Sequence, residues 1–156
     1  MKRINIFLAH SIHDSPAKIK DIARAIRGTF EGKFLASSGF SPAISITSGR
    51  SDHKIHWRGS WEDWELSVLN RKNVTTGKLA YDMFVTTAKT CGKSTASILR
   101  EAVRTKRPVY LWDTTLGCKK VVGIENRDEE DWANGFHIML EPKQLNLFGD
   151  THEAHN

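Results

Sequence analysis

The amino-acid sequence predicts an α/β fold, a parallel, doubly wound sheet covered by helices on both faces. Three observations carry this. The chain opens on an apolar, β-rich run, Arg3 to Ala9, followed at once by an amphipathic helical pattern, which is the opening half of a βαβ unit. Residues 81–113, "YDMFVTTAKTCGKSTASILREAVRTKRPVYLWD", read as strand, turn, helix, strand with short connections. A length of 156 residues, 39% hydrophobic and 26% charged, suffices for one core and is too short for two.

In the first helix, Ser15 is a good N-cap and Pro16 a good first helical residue, because the proline's missing N–H is not needed there. Ile19, Ile22, Ala23, Ile26 and Phe30 recur at helical spacing and predict about four turns with one buried face. A second strand falls in "KFLAS" or in "AISIT", and the pattern does not choose between them. Residues 48–58, "SGRSDHKIHWR", are polar and cationic. Beyond them Ser60 and Asp63 resemble a capping box, and Trp61, Trp64, Val68 and Leu69 supply the apolar stripe of another helix. A strand at 83–87, a helix at 94–105 and a strand at 108–112 follow, and "GFHIML" predicts a last strand or edge segment. In sheets of this kind ligands bind outside the carboxyl ends of the strands, which directs attention to the turns at 10–15, 48–58 and 86–93 and to the chain after Asp113.

The division expected is an α/β domain over 1–140 and a polar tail over 141–156. The N-terminal apolar run ends after six or seven residues without a small-residue cleavage site, so no signal peptide is expected, and no segment approaches the roughly 18 apolar residues of a membrane helix. A cytoplasmic protein is the expectation. Cys91 and Cys118 form neither a disulfide framework nor a metal spacing. The net charge of +5 favours anionic partners, nucleotides or nucleic acid, through summed potential. Its carriers, among them Lys18, Lys20, Arg24 and Arg27, are scattered and read mostly as a solvated surface. His53 and His56 have metal-like spacing, but no third ligand is evident and Arg50 and Arg58 flank them, so a phosphate-attracting lip is preferred to zinc and no metal or cofactor is expected.

Gly92-Lys93-Ser94-Thr95 is the end of a phosphate-binding P-loop, whose first glycine lets the backbone wrap the phosphates. Here that first glycine position is Thr87, a β-branched residue where free φ is usually required. The motif is therefore incomplete as an ATP site. The helix start at Gly92, Lys93, Ser94 and Thr95 remains a cradle for a single phosphate, since its free N–H groups and dipole favour an anion.

Ala9-His10-Ser11-Ile12, Tyr81-Asp82-Met83-Phe84-Val85, Gly92, Ala102 and Lys106-Arg107-Pro108-Val109 together resemble the motifs of the nucleoside deoxyribosyltransferase and deoxynucleotide N-glycosidase superfamily. The resemblance covers about half of the chain. It implies a flavodoxin-like fold and a nucleotide or nucleoside ligand whose N-glycosidic bond is cleaved, by a hydrolase, or exchanged, by a transferase. Ser11 and His10 match the sugar- or phosphate-contacting turn, with turn chemistry by its hydroxyl an equal alternative for Ser11, and Asp82 matches an acidic residue that helps to hold sugar or base. The nucleophilic glutamate of the family falls on Ile98, which can do no such chemistry. Glu101, one turn further on, is the candidate substitute, with a solvent-facing glutamate as its plain alternative.

In the tail, Gln144-Leu145-Asn146-Leu147-Phe148 matches the bacterial sliding-clamp pentapeptide of form Q-L-x-L-F, in which apolar side chains enter a preformed pocket and the glutamine fixes register. Gln144, Leu145, Leu147 and Phe148 would make those contacts, placing the protein beside DNA replication in a bacterium or a phage. The same residues could equally dock on the protein's own core. Two functions follow as expectations. One is a nucleotide-binding enzyme acting through Glu101 and Asp82; the other is a non-catalytic accessory protein recruited to the clamp. Self-association and direct nucleic-acid contact stay open.

Overall fold

The computed structural model describes residues 3–10, 14–48, 72, 74–115, 117–131 and 134–142. Nine elements follow in chain order: β1 (Arg3–Ala9), α1 (Pro16–Ser38), β2 (Ala43–Ser48), β3 (Met83–Thr86), β4 (Thr90–Cys91), α2 (Lys93–Arg104), β5 (Val109–Asp113), β6 (Gly117–Asn126) and β7 (Phe136–Leu140). The class is α/β. Among the described residues the strands form a sheet in the order β2-β1-β3-β5-β6-β7-β4.

The β2-β1-β3-β5 half is parallel, as the strand–helix alternation predicts, with Ile6 beside both Ile46 and Met83 and Phe84 beside Val109. Pleating sends alternate side chains to opposite faces. Ile6 and Leu8 of β1, with Met83 and Val85 of β3, pack with Ile19, Ile26 and Phe30 of α1. Phe7 and Ala9, with Phe84, pack with Ile98, Leu99 and Ala102 of α2. Among the described residues one helix covers each face, and β3 is buried at all four positions.

The other half departs from the all-parallel expectation. β5 ends at Asp113 and β6 begins at Gly117, with these two residues paired, with the φ of 74° at Gly117 suiting a residue without Cβ, and with the Asp113 carboxylate accepting the Thr115 amide at 2.7 Å. So short a turn permits only an antiparallel neighbour. β6 pairs with β5 through Gly117–Lys120 and with antiparallel β7 from Val121 to Asn126, and its register against β7 shifts between Val121 and Gly123. β4, two residues long, closes the edge against β7 through Thr90 and His137. Gly135, before β7, is obligatory for another reason: a Cβ there would lie 2.1 Å from the Asp128 carbonyl oxygen.

Several boundaries move. "KFLAS" lies inside α1, which runs 23 residues to Ser38, so only "AISIT" is a strand. Ser15 caps α1 as expected, its side chain accepting the Lys18 amide at 3.1 Å, and Gly39 closes it in the left-handed region at φ 75°. α2 spans 93–104, one residue earlier than predicted, and β5 runs one residue further, to Asp113. β4 and β6 have no counterpart in the sequence reading. No described helix is long and apolar enough to cross a membrane. The helix expected around Ser60, Asp63, Trp61, Trp64, Val68 and Leu69 and the tail from residue 143 lie outside the described residues.

Candidate functional site

The carboxyl ends of β1, β2, β3 and β5 share one edge of the sheet. Leu8 pairs with Ser48, the last residue of β2, so His10, two residues on and on the same face, reaches it: His10 Nε2 and Ser48 Oγ are 2.5 Å apart. β1 and β3 are joined at this edge by the Thr87 amide donating to the Ala9 carbonyl at 3.3 Å, and Thr86 beside it is buried. At the end of β5, Trp112 Nε1 is buried without a hydrogen-bond partner among the described residues. An indole N–H in that state lacks the partner that buried donors normally have.

Adjoining the His10–Ser48 pair is a cavity of about 290 Å³ between α1 and the β1–β2 edge. Leu8, Ile19, Ala23 and Ile46 supply its apolar lining, Ser48 its hydroxyl, and Lys20, Arg24 and Arg27 its charges. The three cations stand at i, i+4 and i+7, hence on one face of α1. Sequence reasoning counted them as part of a scattered surface charge. Their helical spacing was visible, but not that β2 would end beneath them.

The residues expected to act together are held apart. Asp82 precedes β3, at the amino end of the sheet, where its carboxylate accepts the Asn5 amide at 2.8 Å and its own amide donates to the Asn5 carbonyl at 2.8 Å. Thr86 is four residue steps further along the chain, about 13 Å at a rise near 3.3 Å per residue. Glu101 sits in the last turn of α2, which leads through residues 105–108 into the amino end of β5, so it too belongs to the far edge. Its carboxylate is salt-bridged to Arg104, and that hydrogen bond, with Arg104 and Arg107 as nearby positive charges, holds its pKa below the ordinary 4.5. Ile98, at the position where the resemblance puts the nucleophile, is 3% exposed and part of the core.

Gly92 is the N-cap of α2 with extended backbone, φ −85° and ψ 178°. Lys93, Ser94 and Thr95 begin the helix, and Ser97 Oγ donates to the Lys93 carbonyl at 3.0 Å. No P-loop wrap precedes them: Thr90 and Cys91 are extended in β4, and Thr87 is not among the described residues with positive φ. Because β4 pairs with β7, this helix start lies beside the antiparallel half of the sheet rather than beside β1 and β2. Arg100 fixes α2 there, donating from Nε and Nη2 to the Ile124 carbonyl at 3.3 and 3.1 Å with its guanidinium 5.0 Å from the Phe136 ring centroid.

Ser11, His53, His56, Gln144, Leu145, Leu147 and Phe148 lie outside the described residues. Among the described residues no group of three or more His, Cys, Asp or Glu could hold a metal ion. No family model matches the chain, and no curated protein or solved structure matches it.

Proposed function

We propose that this protein binds a nucleotide or nucleoside at the carboxyl edge of its parallel strands, in a flavodoxin-like frame. The observation that carries the reading is the His10–Ser48 pair at the ends of β1 and β2. Strand order reverses at β1, with β2 to one side and β3 to the other; α/β sheets hold ligands at the crevice of such a reversal, here between β1 and β3, and His10 follows β1 at that edge while Ser48 ends β2. The paired imidazole and hydroxyl offer donors and acceptors to a sugar or base.

Binding is the proposal, and glycosidic cleavage is its enzymatic extension. Glu101 and Asp82 are on the opposite edge with their carboxylates engaged, so they do not support base release from a ligand held at His10. The test is thermal shift with nucleosides and deoxynucleoside mono- and triphosphates, with chromatography of each mixture for free base. The expected result is stabilisation by nucleotides, lost on His10→Ala, without base release. Stabilisation by none of them overturns the reading; base release abolished by Glu101→Gln restores the deoxyribosyltransferase-like enzyme.

The second reading, a replication accessory protein, is supported by the sequence of Gln144–Phe148 alone. Replacing Gln144, Leu147 and Phe148 with alanine is expected to abolish binding to a bacterial sliding clamp and leave the melting temperature unchanged. A large fall in melting temperature would make the tail part of the core instead.

A further inference from the structure

We infer that the cavity between α1 and the β1–β2 edge is a subsite for a di- or triphosphate, so that the phosphates of the bound nucleotide lie against Lys20, Arg24 and Arg27 rather than at the start of α2. The inference deepens the nucleotide reading and rests on it for the rest of the ligand. Among the described residues that line the cavity, the three charged ones are all cations, and β1 and β2 contribute Leu8, Ile46 and Ser48. The carboxylate bonded within that set is Asp21, 3.4 Å from Arg24, and both side chains are about three-quarters exposed, at 74% and 76%. Such a pair is worth little in water, so a phosphate displaces it at small cost. Arginine prefers the exchange, because its planar fork meets phosphate oxygens two at a time.

Spacing sets the length of the ligand. From residue 20 to 27 the helix rises about 10 Å, a span that one phosphate cannot bridge and a chain of two or three can. The volume agrees: about 290 Å³ is at the lower limit of small-molecule pockets, room for a phosphate chain with part of a sugar but not for a whole dinucleotide. Ser48 joins the two halves of the site. Its hydroxyl lines the cavity and is also bonded to His10, so a ligand with phosphates over α1 has its sugar beside the imidazole. At the α2 start, by contrast, Lys93 is a single cation on the other side of the parallel strands from β2.

Calorimetric titration with pyrophosphate alone, and then with a nucleoside and its triphosphate, tests this on the full chain. Wild type is expected to bind pyrophosphate, with Arg24→Ala/Arg27→Ala weakening it by about tenfold or more while the nucleoside binds as before. Both side chains are outside the core, so the double variant is expected to melt with wild type, and Lys20→Ala alone gives a smaller change in the same direction. Absence of pyrophosphate binding overturns the inference, as does weakening by Lys93→Ala in place of the α1 pair. A single-stranded DNA oligonucleotide that outcompetes pyrophosphate through the same arginines also overturns it, in favour of a nucleic-acid surface. Triphosphate binding indifferent to the α1 cations would sink the subsite and leave the nucleotide reading standing; pyrophosphate binding with no nucleoside binding would do the reverse.

Discussion

Ile98 shows how a resemblance in sequence and a position in space can part. The motif reading puts a nucleophilic glutamate at this position, but in this fold the side chain is buried in the core cluster with Ala102, Phe7 and Phe84. Ile98→Glu is expected to lower stability by about 3 kcal/mol or more, because an unpaired carboxylate loses its hydration, and to create no base release. Denaturant unfolding reads this directly. Glu101 is the opposite case, a partly buried carboxylate paired with an exposed arginine, Arg104. Its depressed pKa means that the pair contributes above the ordinary carboxyl value and is lost as pH falls through the lowered one. Glu101→Gln should therefore lower the melting temperature by no more than about 2 °C at pH 7, a gap that closes at acid pH. Burial raises the Cys91 thiol to about 11, against a slight opposing pull from Arg100. The folded state favours the neutral thiol, so this contribution is present below pH 9 and lost as pH rises toward 11. At pH 8 the native Cys91 should react with a disulfide reagent far more slowly than in denaturant; rapid reaction of both cysteines in the native protein would contradict its burial.

Among the elements, α1 was the most legible. A capping serine, a proline at the first turn and apolar residues three and four apart all point the same way, and the helix forms where they say. Ser15→Ala should cost about 1 kcal/mol, seen as a fall of a few degrees in melting temperature. Its far end was not legible, since "KFLAS" is apolar enough for a strand and only Gly39 marks where the helix stops. The end of α2 holds a correctable strain: Lys106 is at φ 63°, a region that β-carbons disfavour, with its amide donating to the Val103 carbonyl at 3.0 Å. Lys106→Gly should stabilise by about 0.5–1 kcal/mol. A loss would mean that the lysine side chain does more than cap the helix. β4 and β6 escaped the sequence reading for physical reasons. Two residues carry no periodicity, and a strand that changes partner partway, as β6 does between Lys120 and Val121, buries neither face continuously.

For the whole molecule, alternating strand and helix were enough to predict the parallel half and the edge that gathers the carboxyl ends of its strands. They did not predict the antiparallel half, which depends on the short connection from Asp113 to Gly117 rather than on any strand's own pattern. The site suffered from the same limit. His10 was visible as a turn residue after β1, but its partner Ser48 is 38 residues away and becomes its neighbour only through the Leu8–Ser48 register. The cations of α1 likewise gain meaning only when β2 is laid beside them. The measurement that tests this account most directly is titration of a deoxynucleoside triphosphate into wild type, His10→Ala and Ser48→Ala followed by calorimetry. The account predicts saturable one-site binding to wild type, weakened about tenfold by either substitution at unchanged melting temperature. Absence of binding to wild type, or equal affinity in all three proteins, would contradict it.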